Sequence, residues 1–70
     1  MTNFDSELTA GLFCVAGAWG RAHFTSDRRT AHNDAADVRD AMRAAGCPGV
    51  HNVRAQWLDG NTWRDCRAGR

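Results

Sequence analysis

Apolar residues recur at helical spacing in the middle of the chain, with polar and charged residues between them. The recurring positions are i, i+4, i+7, i+11 and i+14 of one helix face, and they carry Ala31, Ala35, Val38, Met42 and Ala45. The pattern predicts a helix over about 30–46. Because its apolar stripe consists mostly of small residues, we expect this helix to lie close against a sheet.

Residues at both ends of this segment are typical of helix termini. Thr30 or Asn33 can cap the N-terminus, because their side-chain oxygens accept hydrogen bonds from backbone N–H groups that have no partner in the helix. Gly46 suits the left-handed position that follows many helices, and Pro48 prevents continuation. The helix is therefore expected to stop at about Gly46.

The segment 12–25 is rich in strand-forming residues but is interrupted by Gly17 and Gly20. It is predicted to form one bent strand, or two short strands that turn between these glycines. A helix is the competing interpretation, because apolar residues also fall at helical spacing over 8–19. We rank the helix second, since each glycine would destabilise it by about 1 kcal/mol.

The segment 50–58 alternates like a strand, and Asp59-Gly60 after it favours a tight turn. Together with the residues that follow, it predicts a hairpin over about 50–68. Two registers are open. A two-residue loop pairs Trp57 with Thr62 and forms a cross-strand ion pair between Arg54 and Asp65, whereas a three-residue loop stacks Trp57 against Trp63.

These elements predict an α+β fold in the order β(β)-α-β-β. A small antiparallel sheet of three to four strands is covered on one face by a single helix. Seventy residues are enough for one domain, 1–70. Residues 1–8 carry no clear pattern and are expected to be a flexible lead-in.

Both faces of the first strand carry apolar side chains. Leu12, Cys14 and Ala16 point to one face, whereas Phe13, Val15 and Trp19 are expected to point to the other. One helix covers only one face, and large exposed apolar patches are uncommon on monomers. We therefore expect the aromatic face, with Phe13, Val15 and Trp19, to be an interface with a second copy or a different protein.

The formal net charge of +1 is far from the strongly basic balance of proteins that bind nucleic acids mainly through phosphates. All nine basic residues are arginines, however, and several lie on the C-terminal hairpin. Arg54, Arg64 and Arg67 would contact phosphates if this surface bound a nucleic acid, and Trp57 or Trp63 would stack on bases. Nucleic-acid binding is the alternative function.

Three cysteines and three histidines raise the question of metal or thiol chemistry. A zinc site can be drawn from Cys47 and His51, together with Cys66 and either His32 or His23. The spacing of these residues matches no paired ligand pattern, and no sequence context selects a thiol nucleophile with its base. We expect no metal, no cofactor and no catalytic residue.

The chain also indicates a compartment. Acidic rather than basic residues precede the first apolar run, which is not the pattern of a secretory signal. No apolar stretch approaches the roughly 18 residues of a membrane span. The odd number of widely spaced cysteines fits reduced thiols, so we expect a cytoplasmic protein that does not bind membranes.

Three segments carry a resemblance: 19–24 (WGRAHF), 43–46 (RAAG) and 59–64 (DGNTWR). In these segments and in the general style of its sequence, the chain resembles small accessory proteins encoded by phages and mobile elements of high-GC actinobacteria. Such proteins often bind a host protein, and the resemblance implies the same here. The expected function is non-enzymatic protein–protein contact, either as a homodimer or as an accessory protein with a host target.

Overall fold

The computed structural model describes residues 3–67, and the side chains of residues 6–67. The strands form one antiparallel sheet in the order β2-β1-β3-β4, and helix α2 packs against it. This arrangement confirms the α+β class and the sheet covered by one main helix. In chain order the elements are α1 Asn3–Leu8, β1 Phe13–Gly17, β2 Gly20–Thr25, α2 Arg28–Ala44, a 3₁₀ turn Val50–Asn52, β3 Arg54–Asp59 and β4 Thr62–Asp65.

The segment 12–25 forms a hairpin. Gly17 at the end of β1 pairs with Gly20 at the start of β2, and Gly20 has a φ of +117°, which only glycine adopts readily. The prediction of two short strands is confirmed, and the competing helix is wrong. The turn lies between the two glycines, as the sequence predicts for two short strands.

Helix α2 begins earlier than predicted, because Asp27 caps it rather than Thr30 or Asn33. The Asp27 carboxylate accepts hydrogen bonds from the hydroxyl and the backbone N–H of Thr30, at 2.6 and 3.0 Å. Both hydrogen bonds favour the ionised carboxylate and hold its pKa below the ordinary value. Aspartate caps better than threonine, so the helix gains two residues at its start.

Helix α2 ends as predicted. Gly46 follows the last helical turn with a φ of +70°, and its N–H donates to the carbonyl of Arg43 at 3.2 Å. The N–H of Cys47 donates to the carbonyl of Met42 at 2.9 Å. These two hydrogen bonds form a Schellman motif, which satisfies two carbonyls that the helix leaves without partners.

Gly46→Ala is expected to lower the free energy of unfolding by about 1 kcal/mol, because alanine is strained at a positive φ. No atom lies within 4 Å of an added Cβ, so the backbone angle is the only cost. Gly11→Ala is the matched control, since that position is equally open and has no positive φ. Urea denaturation of both variants measures the difference, and equal stabilities would contradict this helix end.

The register of the C-terminal hairpin differs from both predicted alternatives. Trp57 lies opposite Arg64, and the two strands are joined by the two-residue loop 60–61. Gly60 occupies the first loop position with a φ of +62°, as a type II′ turn requires. The turn therefore forms one residue later than the two-residue alternative proposed, because it needs glycine in its first position.

The core lies between α2 and one face of the sheet, and it contains two residues that the sequence analysis assigned to the uncovered face. Phe13 is 1% exposed and Val15 is fully buried. The buried residues of α2 are alanines, so the larger side chains of β1 fill the space beneath the helix. The remaining core residues are Ala31, Ala35, Val53, Ala55 and Trp57.

The segment expected to be a flexible lead-in, 1–8, instead contains helix α1. Glu7 on this helix is 2% exposed. Its Oε2 accepts a hydrogen bond from Nε of Arg28, and its Oε1 accepts one from the backbone N–H of Arg67 at 3.0 Å. Two residues of this segment, 1 and 2, and residue 68 of the predicted hairpin lie outside the described residues.

Candidate functional site

The sheet face opposite α2, called the open face below, carries a cluster of three large side chains. Phe24 and Trp63 have ring centroids 6.0 Å apart, and the guanidinium carbon of Arg21 lies 5.4 Å from the Trp63 ring centroid. These residues come from β2 and β4, so their side chains extend over the two central strands. Cys14 on β1 is fully buried, although it lies on the face that the helix does not cover. Arg21, Phe24 and Trp63 are the open-face cluster.

An irregularity in β2 places Phe24 on this face. The register between β1 and β2 shifts between Phe13 and Val15, and His23 has a φ of +53°. Regular alternation from Ala22, which lies opposite the core residue Val15, would turn Phe24 toward the helix. The bulge instead leaves Phe24 57% exposed. Backbone strain thus holds a large apolar side chain at the surface, which is a reason to look for a function there.

A chain of hydrogen bonds orients the polar side chains of the open face. Nε of Arg21 donates to Oε1 of Gln56 at 2.9 Å, and Nε2 of Gln56 donates to Oδ1 of Asp65 at 2.7 Å. Arg54 forms the expected ion pair with Asp65 at 2.9 Å, although the two residues are not directly opposite. The hydrogen bonds from Gln56 and Arg54 hold the pKa of Asp65 below its ordinary value.

The structure separates the three arginines of the nucleic-acid alternative. Arg54 occupies an open-face position, whereas Arg64 lies opposite Trp57 on the other face of the sheet and pairs with Asp59 at 2.6 Å. Arg67 follows β4, where its backbone binds Glu7. These residues do not form one basic patch.

Trp19 is the one member of the predicted interface that remains on the surface. It is 49% exposed, in the turn between β1 and β2. Its indole packs against Gly17, where an added Cβ would lie 2.8 Å from Cε2 of the ring. Phe13 and Val15 belong to the core, so they cannot contribute to a surface interface in this fold. A role for Trp19 in an interface stays a prediction.

A second group of functional side chains lies near the start of α2. Ligand atoms of Glu7, His32 and Cys66 all lie within 4.8 Å of one another. Glu7 comes from α1, His32 from α2 and Cys66 from the residue after β4. Nε2 of His32 is shielded from solvent and has no hydrogen-bond partner among residues 3–67. We call this group the Glu7–His32–Cys66 cluster.

Burial sets the protonation of this cluster. Loss of solvent, followed by the nearby Arg28 charge, lowers the pKa of His32, so its imidazole is neutral at pH 7. Loss of solvent and the Glu7 carboxylate raise the pKa of Cys66 to about 12, so its side chain is a thiol. The cluster thus combines a free imidazole nitrogen, a thiol and a carboxylate.

The cluster borders a cleft of about 320 Å³, which is lined by His32, Cys66 and Arg39 among others. Cys47 and His51, the centre of the zinc site drawn from the sequence, are exposed and not part of the cluster. Sequence reasoning missed the cluster because Glu7 lay in the segment expected to be a lead-in. No local signal relates Glu7 to residues 25 and 59 positions further along the chain.

Among residues 3–67, neither α1 nor α2 is long and apolar enough to cross a membrane. No known family matches the chain, and neither a curated protein nor a solved structure shows significant similarity to it.

Proposed function

We propose that the protein acts without catalysis, through protein–protein contact at the open face, and that the partner is a second copy of the chain. The observation that carries this proposal is the exposure of Phe24 beside Trp63. Aromatic residues are enriched at the centres of protein interfaces, and exposed aromatic pairs are uncommon on isolated small domains. The strained bulge at His23 keeps Phe24 in that position.

The order of the strands in the sheet suits a self-complementary contact. A two-fold axis parallel to the strands, between two facing sheets, places β2 of one copy over β4 of its partner. Arg21 lies on β2 and Asp65 on β4, so this arrangement brings Arg21 of each copy near Asp65 of the other, although each Asp65 already pairs with Arg54 of its own copy. A small domain also gains the most stability from a partner, because on folding alone it buries only about 60% of the surface that its unfolded chain exposes.

Nucleic-acid binding is less well supported by this geometry. Arg54 and Arg64 are paired with aspartates and lie on opposite faces. The Trp63 ring, which would stack on a base, already contacts Arg21 and Phe24. An accessory protein with a host target remains the other form of the protein–protein proposal.

Phe24→Ser is expected to weaken dimerisation of the protein by at least about 10-fold, because it removes an aromatic side chain from the centre of the contact. Sedimentation equilibrium over a range of micromolar concentrations measures the dissociation constant. Leu8→Ser is the matched control: Leu8 is also about half exposed, at 51%, but lies on α1 outside the sheet. The control is expected to dimerise like the wild type.

Two results would contradict the proposal. A wild type that stays monomeric up to hundreds of micromolar would exclude the second copy as partner. Equal weakening by Phe24→Ser and Leu8→Ser would show that the open face is not the contact. If the wild type instead binds single-stranded nucleic acid with an affinity that falls steeply with salt, the nucleic-acid alternative replaces it.

A further inference from the structure

We propose that the Glu7–His32–Cys66 cluster binds a divalent transition-metal ion, with Zn²⁺ as the best fit to its donor set. Zn²⁺ is commonly held by imidazole nitrogen, thiolate sulfur and carboxylate oxygen, which are the three donors present here. This site is independent of the proposed docking face. It replaces the expectation of no metal, which rested only on the spacing of cysteines and histidines along the chain.

The ligand atoms of Glu7, His32 and Cys66 need to move only a short distance to bind a metal ion. In a tetrahedral zinc site the ligand atoms lie about 2.0–2.3 Å from the metal, which puts them about 3.3–3.8 Å from one another. The three atoms already lie within 4.8 Å. Shifts of about 1 Å in the ligand atoms would bring them to this spacing.

The state of His32 is the second, independent observation. A buried polar nitrogen without a partner costs free energy, and such atoms are rare in folded proteins. Nε2 of His32 is such an atom among the described residues 3–67. A metal ion bound to this nitrogen would satisfy it, because a neutral imidazole binds metals through the lone pair of its unprotonated ring nitrogen.

The contacts of Glu7 are compatible with a ligand role. Its two oxygens accept hydrogen bonds from Arg28 and from the backbone N–H of Arg67. A carboxylate has about four lone-pair positions, so each oxygen keeps one for a metal ion. Metal-bound carboxylates usually have such outer hydrogen bonds, which fix their orientation.

Metal binding also releases a proton. Binding of M²⁺ forms a metal–sulfur bond and releases the thiol proton of Cys66 to solvent, so the ion meets one thiolate and one carboxylate. His32 and Cys66 line the cleft of about 320 Å³, which leaves room there for water as the fourth ligand. Three protein ligands with one open position are typical of zinc sites that bind an exogenous molecule.

The 70-residue chain, reduced and free of metal, is titrated with Co²⁺ as a spectroscopic probe and then with Zn²⁺. One equivalent of Co²⁺ is expected to give a thiolate-to-cobalt charge-transfer band and the visible absorption of a tetrahedral site, both removed by Zn²⁺. Zn²⁺ is also expected to raise the melting temperature, because it joins α1, α2 and the segment after β4 in the folded state only.

Matched variants assign the ligands. Cys66→Ser and His32→Gln are expected to abolish the charge-transfer band or to weaken Zn²⁺ binding strongly. The loss of affinity should exceed the roughly 10- to 100-fold that follows when only an outer hydrogen-bond partner of a ligand is removed. Cys47→Ser and His51→Gln remove the same residue types from exposed positions outside the cluster and are expected to bind like the wild type. Circular dichroism of the metal-free variants checks that each is folded.

Several results would overturn the site. A wild type that binds less than one equivalent of Co²⁺, or binds it without a charge-transfer band, excludes a thiolate site. Loss of the band in Cys47→Ser or in His51→Gln assigns the metal to the exposed residues instead. If Cys66→Ser and His32→Gln are both unfolded, the double variant Cys47→Ser/His51→Gln decides. Binding of one equivalent of Co²⁺ by this variant supports the cluster, and loss of Co²⁺ binding overturns it.

Discussion

Arg28→Met is expected to destabilise the protein by about 3–5 kcal/mol, because it leaves the Glu7 carboxylate without its counter-ion in a buried position. The Glu7 side chain is only 2% exposed, so water solvates its carboxylate poorly once the guanidinium is removed. A domain of this size has a total stability of roughly 4–10 kcal/mol. The variant is therefore expected to be largely unfolded at 37 °C, as measured by circular dichroism and urea denaturation.

Two further variants identify the cause of this effect. Arg29→Met removes the neighbouring arginine, which is exposed, and is expected to change stability by less than about 0.5 kcal/mol. Glu7→Gln combined with Arg28→Met removes both charges and is expected to recover much of the lost stability. Equal effects of Arg28→Met and Arg29→Met would show that α1 does not dock as described.

Phe13→Ala is expected to cost about 3–5 kcal/mol, because it opens a cavity between the sheet and α2. Phe24→Ala removes the same side chain from the open face, where it is 57% exposed against 1% for Phe13. We expect it to cost less than about 1 kcal/mol when unfolding is measured on the monomer at low concentration. The two phenylalanines lie on adjacent strands, so the comparison isolates burial beneath the helix.

This comparison also tests the correction to the predicted interface. If Phe13 lay on a docking surface, as the sequence analysis expected, Phe13→Ala would change association more than the stability of the monomer. If Phe24→Ala proved as destabilising as Phe13→Ala, the assignment of the two sheet faces would be reversed.

Local patterns were sufficient for most elements of the fold. The spacing of Ala31, Ala35 and Val38 identified α2, because helical periodicity depends only on residues within a few turns. Gly46 marked the end of that helix, since its conformation is a property of glycine itself. The predicted start of α2 was two residues too late, because Asp27 is a stronger N-cap than Thr30.

The sites depended on relations that local patterns do not contain. The bulge at His23, which turns Phe24 outward, has only a weak sequence signal: histidine tolerates a positive φ better than most residues. Glu7 meets His32 and Cys66 only after three distant segments pack together. The candidate metal site was therefore missed, and the interface prediction named two core residues.

The sequence by itself determined the α+β class, the main helix and the position of the C-terminal hairpin, because these follow from periodicity and turn residues over short stretches of chain. For 12–25 it left a bent strand, two short strands and a helix as alternatives. Only the tertiary structure decided which face of the sheet α2 covers. Both faces of β1 carry apolar side chains, and the choice follows from how Phe13 and Val15 fill the space against the alanines of α2. The tertiary structure also decided that Glu7 is buried. A carboxylate enters a protein interior only where folding brings it partners, which here are Arg28 and the backbone N–H of Arg67.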